Sequence, residues 1–188
     1  MSQYWFNNNP ALTHFMNALS TLFEEGEKYF MKSITSFLEE NPDLKQEVIQ
    51  FCKEEVNHSK LHKELNSSFA NKALLAKLET RTGSIIKYGT MYLNKRQKLV
   101  TTAALEHITC ALAEQLLSNK TVQNLMDEGK AKDLWLFHSK EESSDSHKSM
   151  AYKMLKRTSS SKTEQYLLMA LSTIILSIVI AEYWTEIM

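Results

Sequence analysis

Hydrophobic positions recur every three or four residues along most of this chain, the interval that places side chains on one face of a helix. Residues 44 to 65 show the pattern most clearly. Leu44, Val48, Phe51, Glu55, His58, His62 and Leu65 follow one another at alternating steps of four and three. Such a stripe should be apolar throughout. Its middle instead holds a carboxylate and two imidazoles. Burying these without partners is costly, so something inside the fold must satisfy them.

The same periodicity predicts five or six helices and no strand. The first covers about 11–39, opened by Asn9-Pro10 and closed by Asn41-Pro42, with Phe23, Glu27, Phe30, Ile34 and Phe37 as its stripe. The second runs from Asp43, as its cap, to about residue 66. A shorter piece, 71–80, breaks at Arg81-Thr82-Gly83. The third long helix covers about 85–117, with Gly89 a weak point and Leu99, Thr102, Glu106, Cys110, Ala113 and Leu117 facing inward. Asp127-Glu128-Gly129 is a connector, and a fourth helix covers about 131–156, continuous or interrupted. The polar basic linker KRTSSSK then precedes a closing apolar helix. The expectation is an all-α fold. A four-helix-bundle-like domain occupies 1–157, and the linker with an extra apolar C-terminal helix occupies 158–188.

Composition narrows the function classes. Lys+Arg and Asp+Glu are both 22 among 188 residues, so no global basic field points to nucleic acid. Four Gly and two Pro leave long helices intact. Cys52 and Cys110 form no CxxC pair, which fits a reducing, cytoplasmic setting without a disulfide framework. The start, MSQYWFNNNP, lacks the basic segment and apolar core of a secretory signal. Tyr166 to Ala181 is sixteen residues without a charge, slightly short of the ~20 that span a bilayer. Two readings stay open for it. It is a packing helix, or it meets a membrane surface through residues 166–184. In the second case Tyr183 and Trp184 lie at the interface, with Lys156, Arg157 and Lys162 near anionic headgroups, on the cytoplasmic side of an inner membrane.

The polar interruption of the second helix recurs in the others. Glu27 breaks the first stripe, and Glu106, with His107 beside it, breaks the third. The fourth helix reads WLFHSKEESSDSHK, which supplies His138, Glu141, Glu142, Asp145 and His147. Inward Glu, Glu-x-x-His, Glu and a second Glu/His group on four helices describe a dinuclear carboxylate site in a ferritin-like bundle. Two divalent cations need several anionic oxygens, and imidazoles add neutral, directional donors. The candidate ligands are Glu27, Glu55, His58, His62, Glu106, His138, Glu142 and His147. Glu25 competes with Glu27, and His62 is either a ligand or a residue that orients one. His107 points about 100° away from Glu106 and is a packing residue or one that supports a ligand, while His14 stands apart. Glu25 and Glu141 are the candidate proton-moving carboxylates. The expected cofactor is a pair of divalent transition-metal ions, Fe, Mn or Zn.

Four of these stretches, in order, resemble the bacterial predicted metal-dependent hydrolase family. ALSTLFEEGEKYF resembles its Phe-Pro-Glu-Gly-Glu segment, with Glu24 where the family has Pro. EEVNHSKLHKELN resembles its Glu-x-x-His-x-x-x-His segment with a trailing Asn. ALEHITCALAE resembles its Ala-Leu-Glu-His segment, and DLWLFHSKEESSDSHKSMAY its Trp-His-x-x-Glu-Glu-x-Glu-His-Lys segment. The resemblance implies metal-assisted hydrolysis of a small molecule. An oxidase or oxygenase fits the same ligands, and a non-catalytic membrane-associated bundle with a degenerate site is a third reading. The fourth motif departs from the family. Four residues, Ser143 to Ser146, stand where the family has two, and the extra pair turns a helix by roughly 200°. Either the helix bulges or breaks there, restarting at Ser144 or Asp145, or Asp145 replaces His147 as a ligand. Substrate and oligomeric state leave no mark in the sequence.

Overall fold

The computed structural model describes residues 4–69, 71–144, 150–158 and 161–188. Among them are eight α-helices: α1 (Pro10–Thr35), α2 (Lys45–Asn66), α3 (Lys72–Gly89), α4 (Lys95–Ser118), α5 (Lys120–Leu125), α6 (Lys130–Glu142), α7 (Met150–Lys156) and α8 (Lys162–Ile187). Among the described residues the only strand-like pairing is a single bridge between Phe6 and Met126. The all-α expectation with an extra apolar C-terminal helix holds.

Local chemistry sets the helix ends. Asn9 caps α1 by accepting from Leu12 N–H, with Pro10 at the first turn, where a missing donor costs nothing. The helix stops at Thr35, short of residue 39. Thr35 Oγ1 donates to Met31 O, Ser36 Oγ to Ser33 O and Asn41 Nδ2 to Phe37 O, so polar side chains take over the last carbonyls. Asp43 lies in a 3-10 turn, Pro42–Leu44, rather than capping α2, and its carboxylate pairs with Arg157.

The expected break at Arg81-Thr82-Gly83 does not occur. Helix α3 runs through it to Gly89, and the chain turns at 90–94 instead. Tertiary contacts hold the segment helical. Arg81 pairs with Glu182 and Glu186, and Thr82 Oγ1 bonds Leu78 O and Tyr183 Oη. Gly83 faces α1, where an added Cβ would make ordinary contact with the end of the Glu25 side chain. The new boundary has its own signal. Asn94 and Gln97 exchange side-chain and backbone bonds in a capping box. The connector before α6 is as expected: Gly129 has φ +143°, open to glycine but rarely to other residues. Helix α6 ends at Glu142, so the fourth helix is interrupted at Ser143, and α7 begins again at Met150.

Packing contacts put α1 beside α2 and α4, and α6 beside the same two, so α1 and α6 are diagonal, as are α2 and α4. Helix α7 continues along α4 where α6 leaves off, α3 flanks α1, and α8 lies along α4 and α1. Among the described residues, two of the three apolar blocks of the core lie along α1, α2, α4 and α6. Phe30, Ile34, Val48, Phe51, Leu99, Met150 and Met154 form one. Trp5, Met16, Leu65, Met126, Leu134 and Trp135 form the other. The polar stripe residues of four helices fall between them.

Helix α8 is long and apolar enough to cross a membrane by length and composition. It also packs, though along one edge. Tyr183 is buried and donates to Leu78 O, while Trp184 Nε1 donates to Ala11 O. Leu167, Leu171, Ile174 and Ile178 are bare.

Candidate metal centre

Glu27 on α1, Glu55, His58 and His62 on α2, Glu106 on α4, and His138 and Glu142 on α6 converge between the two apolar blocks, each at most 3% exposed. Four helices thus contribute, each through the position where its stripe turns polar. Two triads bring ligand atoms within 4.8 Å of one another: Glu27, His58 and His138, and Glu55, His58 and Glu142. His58 Nδ1 lies 3.5 Å from Glu55 Oε2 and 3.8 Å from Glu27 Oε1, and His138 Nε2 lies 3.1 Å from Glu142 Oε1. Donors ~2.1 Å from one ion and at right angles are about 3 Å apart, so these separations suit shared coordination.

The hydrogen bonds decide which imidazole nitrogens face the cluster. Ser20 Oγ has one proton, and it goes to Asn66 Oδ1 at 2.6 Å, an atom that can only accept. At 2.9 Å from Ser20 Oγ, His62 Nδ1 must therefore be the donor. Burial and the neighbouring imidazoles push the His62 pKa well down, so the ring is neutral and its Nε2 accepts. The donor to it is His138 Nδ1, 2.7 Å away. His138 then turns its Nε2 toward Glu142 Oε1, 3.1 Å away, and a proton or a cation must lie between the two atoms. Likewise Glu141 Oε2, 2.8 Å from His58 Nε2, accepts from that nitrogen and turns Nδ1 toward Glu27 and Glu55. Imidazoles oriented in this way by a partner on the far nitrogen are typical of metal ligands.

Charge tells the same story. Burial and mutual repulsion hold Glu27, Glu55 and Glu106 well above the ordinary carboxylate range. No lysine or arginine is among the groups that shift them. Ser59 Oγ donates to Glu27 Oε2, and Thr109 Oγ1 to Glu142 Oε2. Glu27 Oε1 is buried without a hydrogen bond. Several buried acids with no lysine or arginine among the described groups that shift them fit cations well, because two divalent ions balance four carboxylates.

Of the residues singled out in the sequence, His62 joins the cluster through His138 and Ser20 rather than through a carboxylate. Glu141 stands at the rim, its side chain 27% exposed. The structure does not bring Glu25 to the cluster. It lies on the α3 side of α1, paired with Lys28 at 2.7 Å, because two helix positions separate it from Glu27 by roughly 200°. His147 and Asp145 lie outside the described residues. Ser144 lies in a bend, and the residues that would continue a helix from it lie outside the described ones. His107 is exposed and His14 packs edge-on against Tyr4. Ser20, Ser59 and Thr109 were missed, although each carried a signal. Ser20 is two turns before Glu27, Ser59 one turn after Glu55 and Thr109 one turn after Glu106, on or beside the same stripes.

A family model described as predicted metal-dependent hydrolase matches residues 1–188. Neither the curated proteins nor the solved structures contain a match to the chain.

Proposed function

The chain belongs to the predicted metal-dependent hydrolase family, and from that premise we propose that the buried Glu/His cluster holds two divalent cations and hydrolyses a small molecule. The observation that carries this reading is the pair of buried Glu/His triads that meet at His58. Glu27, Glu55, Glu106 and Glu142 would balance the charge, and His58 and His138 would add directional nitrogens. Bound cations would supply Lewis acidity and a water acidic enough to give hydroxide near neutral pH. His62 fixes the ring of His138, and Ser20 fixes His62. The apolar blocks above and below exclude bulk water, which strengthens every charge interaction in the chamber. Glu141, partly exposed at the rim and bonded to His58, would pass a proton between the chamber and solvent.

The carboxylate-rich donor set favours one second reading, oxygen activation at a di-iron site in a ferritin-like bundle. One reconstitution separates the two. Zn(II)- or Mn(II)-loaded protein with about two ions per chain and turnover of ester or phosphoester substrates supports hydrolysis. Oxygen uptake and new near-ultraviolet absorbance after anaerobic Fe(II) loading, without hydrolysis under any metal, supports the second reading. Loading below about one ion per chain overturns both.

A further inference from the structure

A cavity of about 440 Å³ runs between α1, α3, α4 and α8 and reaches inward to Glu27 and His138. Its walls are almost wholly apolar; Leu19, Phe23, Ile85, Leu105 and Leu176 are among them. That volume lies within the ~300–1,000 Å³ of small-molecule sites. Its outer wall is α8, and Leu171 and Ile175 both line the cavity and stand 52% and 42% exposed. The apolar space therefore extends from α8 to Glu27 of the candidate centre.

One residue shows that this space is kept open. Gly26 sits in the middle of α1, next to Glu27, and lines the cavity. A Cβ added there would meet nothing within 4 Å. No close approach of another helix calls for the glycine, and a mid-helix glycine costs about 1 kcal/mol relative to alanine. What its missing side chain leaves is room beside the candidate ligand. Gly89, at the end of α3, lines the same cavity and likewise has nothing within 4 Å.

We propose that this cavity holds the hydrocarbon chain of an amphiphile whose polar, reactive end lies at Glu27 and His138. A polar substrate of similar size would bury its donors and acceptors against walls that offer few partners. A chain loses nothing there and gains the burial of each methylene, about 0.8 kcal/mol. The proposal names the substrate class for the hydrolytic reading and rests on that reading for the role of the polar end. The binding of the chain does not need the metal.

The test therefore begins with metal-free protein. The fluorescent eighteen-carbon acid cis-parinarate is titrated into it, and dodecanol is used as competitor. Saturable binding displaced by dodecanol is expected. Gly26→Leu fills the space beside Glu27 and should weaken parinarate at least about tenfold, as overpacking a filled site does. The same substitution should raise the melting temperature, because leucine is the better helix former. Ile85→Trp, in the α3 wall, provides a second blocking variant should the first misfold. Absence of saturable binding, or binding unchanged in a folded blocking variant, overturns the proposal. Flotation with phosphatidylcholine vesicles, lost on Leu171→Glu/Ile175→Glu, assigns the bilayer as the source of the chain. Parinarate binding without flotation assigns a chain taken from solution. Metal loading with turnover of short esters but no parinarate binding would remove this substrate class and leave the hydrolytic reading intact. Parinarate binding without metal loading would do the reverse.

Discussion

Replacing Ser20 by alanine tests the orientation relay at its far end. Ser20 is fully buried and touches no candidate ligand except through His62. Its Oγ accepts from His62 Nδ1–H and donates to Asn66 Oδ1. Truncation leaves both atoms buried, with His62 fully buried and Asn66 1% exposed. An orphaned buried polar atom costs ~1–3 kcal/mol, so the two together should remove about 2–5 kcal/mol of stability. A domain is held by only ~5–15 kcal/mol, so the change is large but survivable. The relay also fixes the tautomer of His138. Without Ser20, His62 is free to exchange tautomers, and His138 loses its preference for Nδ1–H. Loss of such an orienting partner weakens metal binding by roughly 10–100-fold. Urea denaturation of metal-free protein gives the first quantity, and competition with a chelator gives the second. Nitrogen-15 shifts of the histidines add a direct readout: His62 and His138 should both be Nδ1–H in the wild type and become mixed in the variant. A stability loss below about 0.5 kcal/mol with unchanged chelator competition would refute the reasoning, since no orphan could then have formed.

Other substitutions and conditions separate the roles of the remaining groups. Glu55→Ala or His58→Ala should abolish metal loading as measured by elemental analysis, whereas His14→Ala and Glu25→Gln should leave both loading and turnover unchanged. Glu106→Gln should raise the urea midpoint of metal-free protein at neutral pH while weakening metal affinity; tighter metal binding would contradict its assignment as a ligand. Metal-free protein should become less stable as pH rises above about 4.5, because Glu27, Glu55 and Glu106 keep protons in the fold that the unfolded chain releases. Denaturation across pH in the presence of a chelator measures this, and saturating metal should reverse the slope because it binds the deprotonated acids. Tyr183→Phe removes the bonds of the Tyr183 hydroxyl to Leu78 O and Thr82 and should cost about 1 kcal/mol, read from the same denaturation curves.

Periodicity along the chain is enough to say which helix positions turn inward. The alternation of four and three that carries Glu55, His58 and His62 is a property of a single helix, and a helix buries the face that its apolar neighbours define. Glu27 and Glu106 were legible for the same reason, and so was the resemblance that the family match bears out. What crosses between helices depends on the assembled fold. The relay from Asn66 through Ser20 and His62 to His138 joins α2, α1 and α6, and no spacing along one helix encodes it. The helical path of α3 through Arg81-Thr82-Gly83 was equally hidden, because the contacts that stabilise it come from Glu182, Tyr183 and Glu186 about a hundred residues away. The cavity beside Gly26 belongs to the same class: a glycine in a sequence reads as a weak point, and only the helices around it reveal that its missing side chain leaves a space. Local periodicity fixes direction, but distance between elements depends on how the helices assemble.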